Sequence, residues 1–180
     1  METEHEQKKG IMGKLSPKRI MLIFLMLVVL SGVAFAAMEK ASDNPKFCVI
    51  CHDMQPYYDS WHDSNLLAKK HADAGVKCHD CHEPSVSQQT SEGIKYITGD
   101  FEKPLKQRQF SKDNCLKCHD YNDVTAKTNF SGINPHKSHK GELECYTCHS
   151  MHRQSTVLCA QCHSFSWIKK LPDDWNKTKK

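Results

Sequence analysis

The apolar residues of this 180-residue chain are concentrated in one run near the N-terminus, from Ile20 to Met38, which only Ser31 and Gly32 interrupt. At about 1.5 Å per residue, a helix over this run is about 28 Å long, close to the thickness of a bilayer core, about 30 Å. The run therefore predicts a transmembrane helix over residues 20–38.

Charges that flank the run predict how it lies in a membrane. By the positive-inside rule, basic residues before it keep residues 1–19 in the cytoplasm, and residues 39–180 are exported. The alternative is a cleaved secretion signal, because residues 34–36 (Ala-Phe-Ala) have the small-x-small pattern of a cleavage site. Both alternatives export the rest of the chain. The basic residues are Lys8, Lys9, Lys14, Lys18 and Arg19.

The exported part has little regular periodicity. Partial helical spacing of apolar residues predicts a helix within 54–74, and a second helix within 86–110 that glycines and a proline interrupt. No stretch alternates convincingly as a strand. We interpret residues 39–46 as a polar linker and residues 169–180 as a frayed basic tail.

Composition indicates that the protein alone cannot form a large core. The chain has ten cysteines, and few apolar residues remain outside the N-terminal run. A non-protein group is therefore expected to fill the interior. The net charge of +4 is mild, and no run of basic and aromatic residues indicates nucleic-acid binding.

All ten cysteines fall in five copies of Cys-x-x-Cys-His, the signature of covalent c-type haem attachment. Zinc sites, dithiol redox pairs and disulfides are the alternatives, but none of them requires a histidine directly after every cysteine pair. We therefore predict five c-type haems. The attachment residues are Cys48 and Cys51, Cys78 and Cys81, Cys115 and Cys118, Cys145 and Cys148, and Cys159 and Cys162.

The histidine that ends each copy is the predicted proximal ligand of the iron: His52, His82, His119, His149 and His163. His5 precedes the apolar run and is excluded as a sixth ligand, and His79 is awkwardly placed between two attachment cysteines. The remaining candidates for the sixth, distal position are Met54, His62, His71, His136, His139 and His152. If Met54 binds an iron, one of these histidines is spare; the sequence leaves the pairing open.

These observations predict a multihaem cytochrome c fold, mostly α-helical, with much irregular coil wrapped around closely packed haems. The predicted pentahaem domain spans residues 47–168 and follows the single N-terminal helix. Cys145 and Cys159 begin copies only 14 residues apart, so their haems must be near neighbours.

Residues 1–85 resemble the NapC/NirT family of membrane-anchored, quinol-oxidising cytochromes. The matching features are the anchor, the first Cys-x-x-Cys-His with Met54 after it, Pro56-x-Tyr58-x-x-Trp61, and the run from His71 to Pro84. The resemblance implies that Met54 binds the first iron near the membrane and that quinol is oxidised there. It offers Asp53, Lys70 and Lys77 as candidates for handling the quinol protons. The family usually carries four haems, whereas this chain has five attachment sites.

Residues 110–165 resemble the small tetrahaem cytochromes and the haem domains of flavocytochrome fumarate reductases. The matching run is Asn134-Pro135-His136-x-x-His139, followed by the last two copies of the motif and His152. The resemblance implies that His136, His139 and His152 are distal ligands. The chain is too short for a flavin domain, so a separate flavin- or haem-containing reductase is the implied electron acceptor.

Three functions remain as hypotheses. The first is a cytochrome of the bacterial inner membrane, with its haem domain in the periplasm, that passes electrons from quinol to a terminal reductase in anaerobic respiration. The second is a soluble or tethered electron carrier without quinol chemistry. The third is a reductase with an open iron, which the ligand count disfavours.

Overall fold

The computed structural model describes residues 16–50 and 52–177, without the side chain of His52. The chain divides into two compact units at the bond between Ser42 and Asp43. The second unit contains all five Cys-x-x-Cys-His elements, of which Cys51 lies outside the described residues. The two units are described separately.

The described residues of the first unit, 16–42, form one helix, α1 (Pro17–Ser42), with 26 residues. At about 1.5 Å per residue the helix is about 39 Å long, so it exceeds the predicted span 20–38 at both ends. Among the described residues it is the one helix long and apolar enough to cross a membrane. Pro17 is tolerated because the first turn of a helix leaves its N–H groups unpaired. The final turn of α1 also includes the first residues of the predicted linker.

The second unit consists of short helices joined by irregular coil. Two-residue strands form a small parallel pair, β1 and β2, with Ser155 opposite Trp175. Short 3-10 turns lie at 52–54, 145–147, 158–161 and 166–170. The helices are α2 (Pro45–Cys48), α3 (Gln55–His62), α4 (Leu67–Asp73), α5 (Cys78–Cys81), α6 (Val86–Thr98), α7 (Lys112–Leu116) and α8 (Tyr121–Lys127), and the strands are β1 (Ser155–Thr156) and β2 (Trp175–Asn176).

The helix predicted within 54–74 is two helices, α3 and α4. Ser64 causes part of the break, because its hydroxyl donates to the carbonyl of Ser60 (2.6 Å) and accepts from the N–H of Leu66 (3.0 Å). A hydroxyl that bonds the nearby backbone in this way competes with the helical pattern. The break turns α4 back against α3, and the two helices pack together.

The helix predicted within 86–110 is shorter, because α6 ends at Thr98. Ser85 caps its N-terminus by accepting from the N–H of Gln88 (3.3 Å), and the side chain of Gln88 accepts from the N–H of Ser85 (2.8 Å). Gly99 ends the helix in the left-handed conformation at φ 74°, where glycine has no steric penalty. The interior glycine of α6 does not interrupt it.

Only a small apolar core is present in the described residues, as composition predicts. Val157, Ala160 and Ile168 form a buried cluster, and Trp175 is one of the partly buried side chains that pack against it. Pairing of β2 with β1 brings residues 171–177 onto this cluster, so these residues are ordered rather than frayed as predicted.

The ion pair between Lys70 and Asp174 ties α4 to the segment before β2. Lys70 Nζ lies 2.6 Å from Oδ2 of Asp174, whose side chain is 3% exposed. A buried carboxylate without its partner is strongly unfavourable. We expect Lys70→Met to lower the free energy of unfolding by about 2 kcal/mol, because Lys70 itself is half exposed.

Guanidinium unfolding of the haem-loaded protein in detergent measures this effect. The matched control is Lys69→Met, which removes an exposed i,i+4 pair with Asp73 and should cost under about 1 kcal/mol. Equal losses in the two variants would show that the buried pair contributes nothing beyond a surface ion pair.

Candidate haem sites

The five Cys-x-x-Cys-His elements are numbered here from the first to the fifth site in chain order. In the second to fifth sites, the N–H of the histidine donates to the carbonyl of the first cysteine, which closes one helical turn. Residues three apart on such a turn share a face, so both thiols point to one side and the histidine follows directly above them. The bonds are His82–Cys78 (2.8 Å), His119–Cys115 (3.1 Å), His149–Cys145 (2.9 Å) and His163–Cys159 (2.8 Å).

The first three sites are neighbours in chain order. As thiols, Cys48 and Cys78 hydrogen-bond, which lowers the pKa of Cys48 to about 6 and raises that of Cys78. Burial raises the pKa of Cys81, and the nearby Cys118 adds to the effect. The first site therefore adjoins the second, and the second adjoins the third.

The last three sites are also neighbours in chain order. Burial raises the pKa of Cys115 to about 11, with further contributions from the charge of Cys145 and from a hydrogen bond to it. Burial also raises the pKa of Cys148, and Cys159 contributes to this shift. The five sites thus form a row in which each consecutive pair is in proximity.

Four of the predicted proximal histidines face one of the candidate distal histidines. In each case the two ring centres lie 6.0–6.3 Å apart. Two pairs have nearly parallel rings and two have nearly perpendicular rings. The pairs are His82 with His152 (6.3 Å, 29°), His119 with His71 (6.0 Å, 80°), His149 with His136 (6.1 Å, 13°) and His163 with His139 (6.0 Å, 75°).

This spacing is too long for direct ring contact and fits one metal ion between each two rings. An imidazole nitrogen binds a metal at about 2 Å. Two such bonds on opposite sides of one iron, with half a ring beyond each nitrogen, separate the ring centres by about 6 Å. Rotation of either ring about the common axis keeps both bonds, so parallel and perpendicular pairs fit equally.

Hydrogen bonds at Nδ1 leave Nε2 free to bind a metal in three of the distal candidates. His71 Nδ1 lies 2.9 Å from the carbonyl oxygen of Leu67, which can only accept. His136 Nδ1 lies 2.8 Å from Oγ1 of Thr128, and His152 Nδ1 lies 2.7 Å from Oγ of Ser60. A proton on Nδ1 places the lone pair on Nε2, as in other imidazoles that bind metals.

Burial also keeps several of these rings neutral, as a metal ligand must be. It lowers the pKa of His149 to about 4 and that of His152 to about 4. Burial likewise lowers the pKa of His82 and of His136. These four imidazoles belong to the second and fourth sites, where both rings are partly or largely shielded from water.

The first site differs from the other four in its surroundings. Met54 ends the short turn after His52 and is half-buried. The ring of His62 stacks on Tyr58 at 5.3 Å and is exposed; it faces no other histidine among the described side chains. His79 lies 3.6 Å from the carboxylate of Asp43 and likewise faces no other histidine ring in the described part.

Two residues of these sites were not predicted from the sequence. Ser60 and Thr128 are hydroxyl partners of the distal candidates His152 and His136. Ser60 is 92 positions from its histidine, so no local spacing indicates the contact. Thr128 precedes His136 by eight residues. An irregular loop separates the two residues, so this spacing alone does not indicate a contact.

Two protein families match this chain, and their matches overlap. Residues 14–103 match the NapC/NirT cytochrome c family, N-terminal region, and residues 70–164 match the cytochrome c3 family. The chain belongs to the NapC/NirT family. This membership confirms the predicted multihaem c-type cytochrome fold with one N-terminal apolar helix and the predicted role in electron transport.

Several curated proteins are similar to this cytochrome. The cytochrome c-type protein Cgr1 of Eggerthella lenta is 29% identical over 85% of this chain and 83% of its own. The cytochrome c-type protein NrfH of Wolinella succinogenes is 27% identical over 72% of this chain and 79% of its own. An acrylate reductase cytochrome subunit of Shewanella woodyi is 30% identical over 53% of this chain and 69% of its own. No solved structure matches.

Proposed function

We propose that this cytochrome is anchored in the bacterial inner membrane, carries five haems in the periplasm and passes electrons from membrane quinol to a terminal reductase. The observation that carries the proposal is the row of five attachment elements, four of them with a facing histidine pair, in a chain that also has the apolar helix α1. Bound c-type haem supplies reversible one-electron chemistry. The chain's own residues attach it, ligate it and set its spacing.

The histidine pairs support a proposed distal ligand for each of four sites. In the proposal His152 serves the second site, His71 the third, His136 the fourth and His139 the fifth. Two histidine ligands would leave the iron of a bound haem without an open position, so these sites would favour electron transfer over substrate binding. The pairing therefore supports a carrier rather than a reductase with an open iron.

Met54 is the proposed distal ligand of the first site. It lies two residues after His52. Four of the five other candidates face the proximal histidine of another site. His62 is then the spare histidine that the ligand count allows. A thioether ligand raises the potential of an iron relative to two histidines, so the first site differs chemically from the other four.

Replacing Met54 and His62 separately tests this assignment. We expect Met54→Ala to shift or remove one low-spin haem signal, because a distal ligand is lost at the first site. The exposed His62 ring contacts Tyr58 rather than another histidine, so His62→Ala should leave all five low-spin signals in place. Electron paramagnetic resonance of the oxidised protein reads out both variants; a high-spin signal in His62→Ala alone would reverse the assignment.

The exposure of the fifth site suggests where electrons leave. Both rings of this site, His139 and His163, are exposed, as is Cys162. Such exposure permits a partner to approach closely, and closeness governs electron transfer between proteins. We propose that electrons enter at the first site, which follows the membrane helix most closely in the sequence, and that they leave at the fifth site.

The names of relatives support a reductase as the acceptor. One relative is an acrylate reductase cytochrome subunit, and a probable fumarate reductase, Ifc3 of Shewanella frigidimarina, is 30% identical over 61% of this chain and 16% of its own length. The reductase that this cytochrome serves is proposed only as a separate periplasmic enzyme with a flavin or haem centre.

Reduction by a menaquinol analogue tests the proposed function. The full-length cytochrome in detergent should be reduced by the analogue, with all five haems responding in the visible spectrum. Dithionite provides the control, because it reduces haem without a quinol site. Full reduction by dithionite with none by the analogue would leave a carrier without quinol chemistry and reject the proposal.

A further inference from the structure

We propose that Ser60 and Thr128 are positioning residues that lower the reduction potentials of the second and fourth sites by accepting a hydrogen bond from the distal histidines. The inference rests on the ligand assignment in the proposed function and adds to it which residues tune the irons. Among the described residues, neither hydroxyl group is hydrogen-bonded to a cysteine or to a proximal histidine.

Ser60 must accept from His152 because its only hydroxyl hydrogen is already used. The side chain is 7% exposed and lies in α3. Its Oγ donates to the carbonyl of Tyr57 (2.7 Å) and lies 2.7 Å from Nδ1 of His152. The hydrogen between Ser60 and His152 therefore belongs to the imidazole. Tyr57 also packs edge-on against this ring at 5.4 Å, which limits its rotation.

Thr128 is in the same situation at the fourth site. Its Oγ1 donates to the carbonyl of Val124 (2.7 Å) and lies 2.8 Å from Nδ1 of His136. The hydrogen of this second contact again belongs to the imidazole. Two hydroxyl groups on different helical segments thus hold two distal histidines in the tautomer that presents Nε2.

An acceptor at Nδ1 affects the metal as well as the ring orientation. Donation from Nδ1–H makes the imidazole more basic at Nε2, and a more basic ligand favours the oxidised iron. His71 obtains the same effect from the backbone carbonyl of Leu67, which no substitution removes. The hydroxyls of Ser60 and Thr128 are the adjustable members of this set, because side-chain replacement removes them.

The test is a spectroelectrochemical titration of the full-length, haem-loaded protein. Ser60→Ala should raise the potential of the second site and Thr128→Val that of the fourth. Loss of a hydrogen-bonded outer partner changes the affinity or activity of a metal site by about tenfold or more. A tenfold change in the equilibrium between oxidised and reduced iron, a one-electron step, corresponds to a shift of about 59 mV in the reduction potential. Ser60→Thr and Thr128→Ser, which keep the hydroxyl, should restore the original potentials.

Matched controls separate tuning from simple structural damage. Thr90→Val removes a hydroxyl of α6 that donates to the carbonyl of Val86 (2.8 Å). Thr125→Val removes a buried hydroxyl of α8 that donates to the carbonyl of Asn122. Both controls should leave every potential unchanged. Potentials of Ser60→Ala and Thr128→Val that equal the control values, with five low-spin haems retained, would overturn the inference.

Failure of the inference is distinguishable from failure of the proposed ligands. The low-spin spectrum of the unmodified protein reports whether histidine pairs hold the irons, without reference to Ser60 or Thr128. If that spectrum is intact and only the expected shifts are missing, the ligand assignment stands and the hydroxyl groups have no tuning role.

Discussion

Replacing His152 with alanine should open the iron of the second site, although His152 follows the fourth attachment element in the chain. One of five haems should change from low-spin to high-spin. The expectation follows from the ring of His152, which lies 6.3 Å from that of His82, the proximal histidine of the second site. The ring of His149 instead faces His136 at 6.1 Å.

Combining His152→Ala with loss of single haem attachments identifies the affected site. In a chain without the fourth attachment (Cys145→Ala, Cys148→Ala), His152→Ala should still produce one high-spin signal. In a chain without the second attachment (Cys78→Ala, Cys81→Ala), it should produce none. The opposite pattern would assign His152 to the fourth site and contradict the geometric pairing.

The second large effect concerns the N-terminal helix. A chain in which a cleavable secretion signal replaces residues 1–38 should keep its haems, because the attachment elements all belong to the unit that begins at Asp43. Its reduction by a menaquinol analogue in detergent should fall at least about tenfold. The apolar quinol concentrates in micelles, and the helix holds the haem unit at the same place, which raises the effective concentration.

The control for this variant is reduction by dithionite, which should reach the same extent in both chains. Unchanged quinol reduction after loss of the helix would show that the anchor has no part in quinol oxidation. Electron transfer by the haem unit would then be the part of the proposed function that remains.

The attachment elements could be predicted because the information is local, whereas the helical turn that each of the last four forms was not predicted. Among the described residues, four backbone hydrogen bonds join a cysteine to the histidine four residues later in a turn, as between Cys78 and His82. The set of distal candidates could also be predicted from the number of histidines. Which candidate faces which element could not, because the loops that bring His152 to His82 and His71 to His119 have no signature in the sequence.

Other differences have similarly physical origins. The predicted helix over 54–74 breaks where Ser64 bonds the backbone, which apolar periodicity does not register. Residues at the C-terminal end looked like a frayed basic tail, yet Asp174 is buried against Lys70 and the next residue pairs with Ser155. The charge of Asp174 alone does not reveal a buried ion pair, because its partner Lys70 is far away in the chain.

The number of covalent haems is the central claim, and the intact mass of the purified, denatured protein tests it most directly. Thioether bonds survive denaturation, so every attached haem remains in the measured mass. The expected mass is that of the 20.6 kDa chain plus five haems, with the N-terminal helix still attached. A mass corresponding to four or fewer haems in fully matured protein would contradict it.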